Sequence, residues 1–237
     1  MLAGGGGGGS PGSTGTDADG WIGSTGGSWG SASNWRDVTS GANPATAAPG
    51  ANDPVTIAGP TGSTYEVIGG GGASASLSIT GLVDLLGAYT TGALTEGSAG
   101  TPGGQATFTS GSLTLGAGSQ VTASSAAVVD GSTTISGAGA ELSVSGALIV
   151  GSPIGDSLPI DGQVYSYSQG ASGSVSVAGG GTLVAGDANV EDGSLSASGS
   201  GTSVTLNGGL TLGVAPTTTS YVSGQPYYYH TDRKTHV

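Results

Sequence analysis

Cysteine is absent from the 237 residues, which excludes disulfide scaffolds, thiolate zinc sites and cysteine nucleophiles. Cations are nearly absent as well: three Lys and Arg stand against fifteen Asp and Glu, for a formal net charge of −12. Such a balance opposes binding to nucleic acid or to an anionic membrane surface. Arg233 and Lys234 sit among the last five residues and leave Arg36 as the only other cation, so the body of the chain has few ion pairs to form. Charged residues make up 8% and aromatics 5%, too few large side chains for the thick core of a conventional enzyme domain. No apolar run has the length of a transmembrane helix. Met1-Leu2-Ala3 followed by six glycines has neither the charged nor the apolar region of a signal peptide, so an exported parent would carry its export signal elsewhere.

What is abundant is small: 51 Gly, 35 Ser and 28 Thr make up close to half of the chain. Glycine at this level suits disorder, but disordered chains are rich in charge and poor in β-branched residues. Here Val, Ile and Thr recur throughout, and ordered β structure is the expectation. Residues 1–20 read as a flexible Gly/Ser leader. Residues 21–54 hold all three tryptophans, Trp21, Trp29 and Trp35, a concentration of large rings that suggests an N-terminal cap. From Val55 onward short alternating segments appear, such as Val55-Thr56-Ile57, Tyr65-Glu66-Val67 and Leu77-Ser78-Ile79. Alternation at period 2 puts Val55 and Ile57 on one face and Thr56 on the other. Residues 214–237 form a divergent tail, with both histidines and two of the three cations.

Between Thr107 and Gly213 four segments repeat a pattern of strand, Gly-containing corner and strand. The apolar residues after the corners, Val121, Leu142, Leu183 and Val204, are 21, 41 and 21 positions apart. The long gap reads as one repeat missing or disguised, and residues 152–163 within it as a loop inserted into that repeat, after which Val164, Tyr165 and Tyr167 restart the strand. A period near 20 with several short strands per unit predicts an all-β fold, a single-stranded parallel β-helix (β-solenoid) over 55–213. About eight coils at about 4.8 Å each make a rod roughly 40 Å long. Inward ladders, Leu115 over Ile135 among them, bury the apolar surface, and outward Ser and Thr face water. Open solenoid ends expose unpaired backbone and invite self-association unless they are capped.

Gly27-Ser28-Trp29, Asn34-Trp35, Pro49, Asp53, Val55-Thr56-Ile57, Tyr65-Glu66-Val67 and Ala75-Ser76-Leu77-Ser78-Ile79 together resemble the start of β-solenoid units in bacterial surface proteins. The following Gly/Ser/Thr/Val repeats are similar to autotransporter-type and adhesin-type passenger regions, and to the N-terminal regions that precede Hint domains in some secreted bacterial proteins. The resemblance spans roughly residues 21–213. It implies an extracellular or cell-surface stalk that meets a surface protein or glycan, without enzymatic chemistry and without membrane insertion by this segment. The motifs of a signal peptide, translocator barrel or Hint module do not appear in this sequence.

Candidate chemistry is sparse. Gly26-Gly27-Ser28-Trp29-Gly30 has the spacing of a nucleophile elbow, but no helix pattern follows and the histidines lie in the tail. Asp187, Asn189, Glu191 and Asp192 imitate the first half of a calcium-binding loop, with the turn glycine one place late and Ser198 where the bidentate Glu belongs. Calcium is the cofactor that motif suits; otherwise no cofactor is expected. His230, Asp232 and His236 carry ordinary ligand atoms near a terminus. Gly116, Gly137 and Gly199 lack the following helix that phosphate loops need. Tyr165 and Tyr167 alternate onto one face and could stack on sugar rings, which makes a polysaccharide-binding or polysaccharide-cleaving β-helix the alternative to a stalk. With Arg36 alone in the body, the cationic machinery of a lyase is missing.

Overall fold

The computed structural model describes residues 16–59, 66–97, 110–160, 163–191, 193–213, 220–222 and 225–227, and for 152–171 and 220–227 only the course of the strands. Among the described residues the fold is all-β, with no α-helix and a single turn of 3-10 helix at Ala32–Asn34. At the N-terminal end lie β1 (Asp19–Trp21), β2 (Gly27–Ser28), β3 (Trp35–Asp37), β4 (Pro54–Ala58) and β5 (Glu66–Gly69). Two long strands follow, β6 (Gly72–Leu86) and β7 (Ala88–Glu96). Next come β8 (Gly111–Leu115), β9 (Gln120–Val128), β10 (Gly131–Ser136) and β11 (Glu141–Val150). Then come β12 (Ser152–Ile160), β13 (Gln163–Ala171), β14 (Gly173–Ala178), β15 (Thr182–Val190), β16 (Gly193–Ser198), β17 (Ser203–Leu206) and β18 (Leu210–Leu212). A short pair, β19 (Ser220–Val222) and β20 (Gln225–Tyr227), closes the series.

Ten strands make one curled parallel sheet in the order β16-β14-β10-β8-β6-β7-β9-β11-β15-β17. β6 belongs to both flanks: Gly72–Ile79 pairs with β7 and Gly81–Leu85 with β8. The chain bends between them at Gly81, whose φ of 83° a side chain rarely adopts. Beyond β6, and setting aside the hairpin β12–β13, neighbouring strands on each flank are alternate strands in sequence, so the chain steps from one flank to the other and back. Expected columns appear in register. Leu142 pairs with Val121 and Leu183, Leu183 with Val204, and Ile135 with Leu115. Val121, Leu142, Leu183, Leu115 and Ile135 are fully buried. Each such side chain leaves water for about 1.5–3 kcal/mol, so a narrow interior suffices.

The 41-residue step has a different cause from the one expected. β12 and β13 pair antiparallel as a separate hairpin, from Ser152 opposite Ala171 to Ile160 opposite Gln163. Val164, Tyr165 and Tyr167 therefore lie in the hairpin's return strand and do not restart the ladder; Gly173 does, in register with Gly131. Removing the twenty hairpin residues leaves a step of 21, the same as its neighbours, and no unit is missing. The expected leader boundary also moves. Asp19 and Gly20 form β1, because their backbone is held by β4 on one side and β3 on the other.

The ladder depends on glycine where strands of one flank begin. Gly81, Gly111, Gly131, Gly173 and Gly193 share one register position, and there the chain passes so near its neighbour that a side chain has no room. A Cβ on Gly131 would lie 1.8 Å from the Gly111 carbonyl oxygen, one on Gly173 2.0 Å from that of Val128, and one on Gly193 2.0 Å from that of Gly173. The corner glycine Gly118 has a different need. Nothing lies within 4 Å of its added Cβ, but its φ is 78°.

Gly131→Ala is therefore expected to cost about 3 kcal/mol or more, since backbone must move to admit the methyl group. Gly116→Ala, with open space around its Cβ, stays within about 0.5 kcal/mol of the parent. Urea unfolding followed by far-ultraviolet circular dichroism measures both.

Candidate functional site

Four strands on one flank, β8, β10, β14 and β16, begin with Gly-Ser and continue with alternating residues: Gly111-Ser-Leu-Thr-Leu115, Gly131-Ser-Thr-Thr-Ile135, Gly173-Ser-Val-Ser-Val177 and Gly193-Ser-Leu-Ser-Ala197. Leu113, Leu115, Ile135, Val175 and Val177 are fully buried, which sends the intervening residues to the opposite face. The register stacks Ser112, Ser132, Ser174 and Ser194 in one column and Thr114, Thr134, Ser176 and Ser196 in the next. The two columns form a hydroxyl-bearing face without a charged residue in these four strands. Some hydroxyls bind within the ladder. Ser112 and Ser132 share a hydrogen bond of 3.1 Å, and Ser196 Oγ donates to the Val175 carbonyl at 3.5 Å. The hairpin β12–β13 leaves the chain just before β14. Tyr165 faces Leu158 across its backbone register, and Tyr167 faces Asp156.

Inside the ladder two polar side chains interrupt apolar columns and meet. Glu96 occupies the position held by Ile79 in β6 and Val128 in β9. Thr133 occupies that of Leu113 and Val175. Both are fully buried, and Thr133 Oγ1 donates to Glu96 Oε1 at 2.6 Å, while Glu96 Oε2 has no hydrogen-bond partner. Burial pushes the Glu96 carboxyl up to about 8, against the opposing pull of the Thr133 hydrogen bond. A protonated carboxyl suits that interior. This pair was missed by sequence reading. The available signal was the Gly-Ser-x motif itself, whose third residue is Leu, Val or Leu in three strands and Thr133 in the fourth.

Asp187, Asp53 and Asp37 have structural partners, whereas the buried oxygens Glu66 Oε1 and Asp84 Oδ1 have no hydrogen-bond partner. Asp187 Oδ1 accepts from the Gly209 N–H at 2.7 Å and lies so near Gly208 that a Cβ there would touch it; the carboxylate ties one turn of chain to the next. Asn189 lies two residues further along β15, Glu191 follows the strand, and Asp192 lies outside the described residues. Among the described residues no group of three or more His, Cys, Asp or Glu side chains comes together to hold a metal. Asp53 accepts from the Asp17 and Gly50 N–H groups at 3.1 and 2.8 Å. Beside it the buried Asp19 is pushed up to about 6, first by desolvation and then by the neighbouring carboxylates of Asp53, Asp37 and Asp17.

Ser28 is exposed on β2, and the Gly26–Gly30 segment serves the tryptophan cluster. Trp35 sits edge-on to Trp21 at 4.9 Å and to Trp29 at 4.8 Å, and its Nε1–H donates to the Trp29 carbonyl at 2.7 Å. Tyr89 meets Trp29 at 5.4 Å and donates its hydroxyl proton to the Ile68 carbonyl at 2.7 Å; burial drives that phenol up to about 12. His230, Asp232 and His236 lie outside the described residues. No described helix is long and apolar enough to cross a membrane, which says nothing of β-barrels. No family model, curated protein or solved structure matches this chain.

The Glu96 carboxyl is raised in the folded chain from 4.5 to about 8. The folded state therefore holds a proton that the unfolded chain releases, and its stability contribution is complete below pH 4.5 and declines as pH rises through 8. Glu96→Gln is expected to raise the melting temperature at pH 8 by several degrees. It also flattens the stability profile between pH 5 and 8, read by thermal denaturation across that range.

Proposed function

We propose that this chain is a non-enzymatic β-solenoid segment of a bacterial surface or secreted adhesin-like protein, acting outside the cell as stalk and contact surface. In this reading each unit of about 20 residues is one coil of a parallel β-helix over 55–213. The tryptophan-rich 21–54 closes its first end, and the hairpin 152–171 is an insertion. The observation that carries the reading is the common register of successive units. Glycine stacks on glycine at 111, 131, 173 and 193, and apolar residue on apolar residue at 121, 142, 183 and 204. A column whose amides satisfy one another can be long and rigid with little side-chain bulk. The scarcity of Lys and Arg, three in the chain, supports service in a protease-rich environment, since trypsin-like enzymes cut after those residues.

Limited digestion of the full chain with a broad-specificity protease is expected to leave a resistant fragment spanning the ladder. Small-angle scattering of that fragment should give a rod about 35–40 Å long, from about eight strands at about 4.8 Å spacing. Rapid cleavage throughout residues 66–213, or a coil-like scattering profile, counts against a solenoid.

A second reading, binding of an uncharged polysaccharide, draws support from the hydroxyl-bearing face of β8, β10, β14 and β16, four strands without a charged residue, and from Tyr165 and Tyr167 on the hairpin inserted before β14. Partners of that chemistry meet no electrostatic barrier from a chain of net charge −12. If it holds, Tyr165→Ala weakens binding roughly tenfold, the scale of one lost stacking contact, in titrations against neutral polysaccharides. Absence of binding across a broad glycan screen removes this reading and leaves the stalk.

A further inference from the structure

The two ends of the ladder differ. At the N-terminal end the edge strand β3 runs antiparallel to β1, and its outer side is already used: Asp37 N–H donates to the Ala42 carbonyl and Ala45 N–H to the Trp35 carbonyl. Trp21, Trp29 and Trp35 fill the interior behind it. At the other end β16, β17 and β18 pair on one side only among the described residues. Their inward residues continue the apolar columns, and no described strand pairs beyond them. Leu195, Val204, Leu206, Leu210 and Leu212 stand in register over Val175, Leu183, Ala185, Ala188 and Val190. The lower set is buried, whereas Leu210 is 51% and Leu212 43% exposed. Residues 193–213 contain no charged residue, although the chain carries −12. Exposed strand edges are ordinarily guarded by charge, proline or a bulge; this one has neither charge nor proline.

We propose that this end is a self-association surface on which two copies of the chain meet end to end about a twofold axis. Because the outer side of β3 is already occupied among the described residues, a second copy extends the ladder most directly through the same end. A twofold axis then sets like strands antiparallel and matches apolar residue to apolar residue. The absence of charged residues within 193–213 limits repulsion between two strongly acidic molecules there, Asp187 beside Gly209 being a carboxylate they must still accommodate. The end face is on the order of a few hundred Å² per copy, from strand lengths and sheet separation, below the roughly 800 Å² per partner of a stable complex. The dimer is therefore concentration-dependent. β19 and β20 spend their backbone groups on each other and do not pair with this edge.

The proposal rests on the stacked-unit reading above, and the closing experiment separates the two. Sedimentation velocity of the full chain, from low to high micromolar concentration, is expected to show a reversible monomer–dimer equilibrium. Leu210→Glu combined with Leu212→Glu, at exposed positions, puts like charges against each other across the axis and leaves only monomer, with an unchanged circular dichroism spectrum. Val38→Glu, 52% exposed near the N-terminal end, leaves the dimer intact. A wild-type chain that stays monomeric at the highest concentration overturns the proposal. So does a dimer indifferent to the paired leucine substitutions, or one lost with Val38→Glu. A monomer whose 203–212 amides resist hydrogen exchange means that the chain's own following residues cover the end, and overturns it equally. None of these outcomes alters protease resistance or rod length, which report on the solenoid itself.

Discussion

Close main-chain contact between successive parallel strands is the constraint from which the rest follows. At Gly111, Gly131, Gly173 and Gly193 a single added carbon collides with backbone atoms packed against it, so one flank begins each strand with the one residue that fits. From that anchor the alternation of inward and outward side chains is set strand by strand, because a slip of one residue would turn every apolar side chain to water. A chain with one Phe and no Cys can fold on these terms. Backbone hydrogen bonds supply the repeating contact, and modest Leu, Val and Ile columns fill a thin interior.

Departures from the repeat are where the molecule becomes specific. The hairpin 152–171 interrupts the chain without interrupting the ladder, since Val150 and Val190 keep their register across it and Gly173 returns to the column of Gly131. A two-stranded excursion can be accommodated because its own amides pair within it. Glu96 and Thr133 are a departure of another kind, two polar groups in an apolar interior that satisfy each other in part. Asp187 accepts from the amide of Gly209, so an acidic residue that suits a cation loop by sequence also brackets two segments of the chain.

The ends differ for a physical reason as well. A stack of parallel strands must stop, and its last amides and apolar columns need cover. At the first end an antiparallel strand, the Ala42–Ala45 segment and three edge-to-face tryptophans supply that cover. The terminal unit at the other end has the composition of an interior one, uncharged and apolar within, and gains most from a further layer.

The amino-acid sequence by itself determined what is local or additive: the β class, the inward and outward faces of Val55-Thr56-Ile57 and Leu113-Thr114-Leu115, and the glycine corners. It also determined the 21-residue step and the acidic charge balance. Period-2 alternation and backbone conformation are properties of a few neighbouring residues, so they can be read without knowing what lies across the interior. Only the tertiary structure decided which strands became neighbours over the 41-residue gap, and that Tyr165 and Tyr167 belong to a hairpin. It alone brought Glu96 to Thr133, placed Asp19 in β1, and gave the two ends of the described ladder different edges. Each of these depends on backbone register between separate segments, 37 residues apart for Glu96 and Thr133, and distance in space is not written in spacing along the chain.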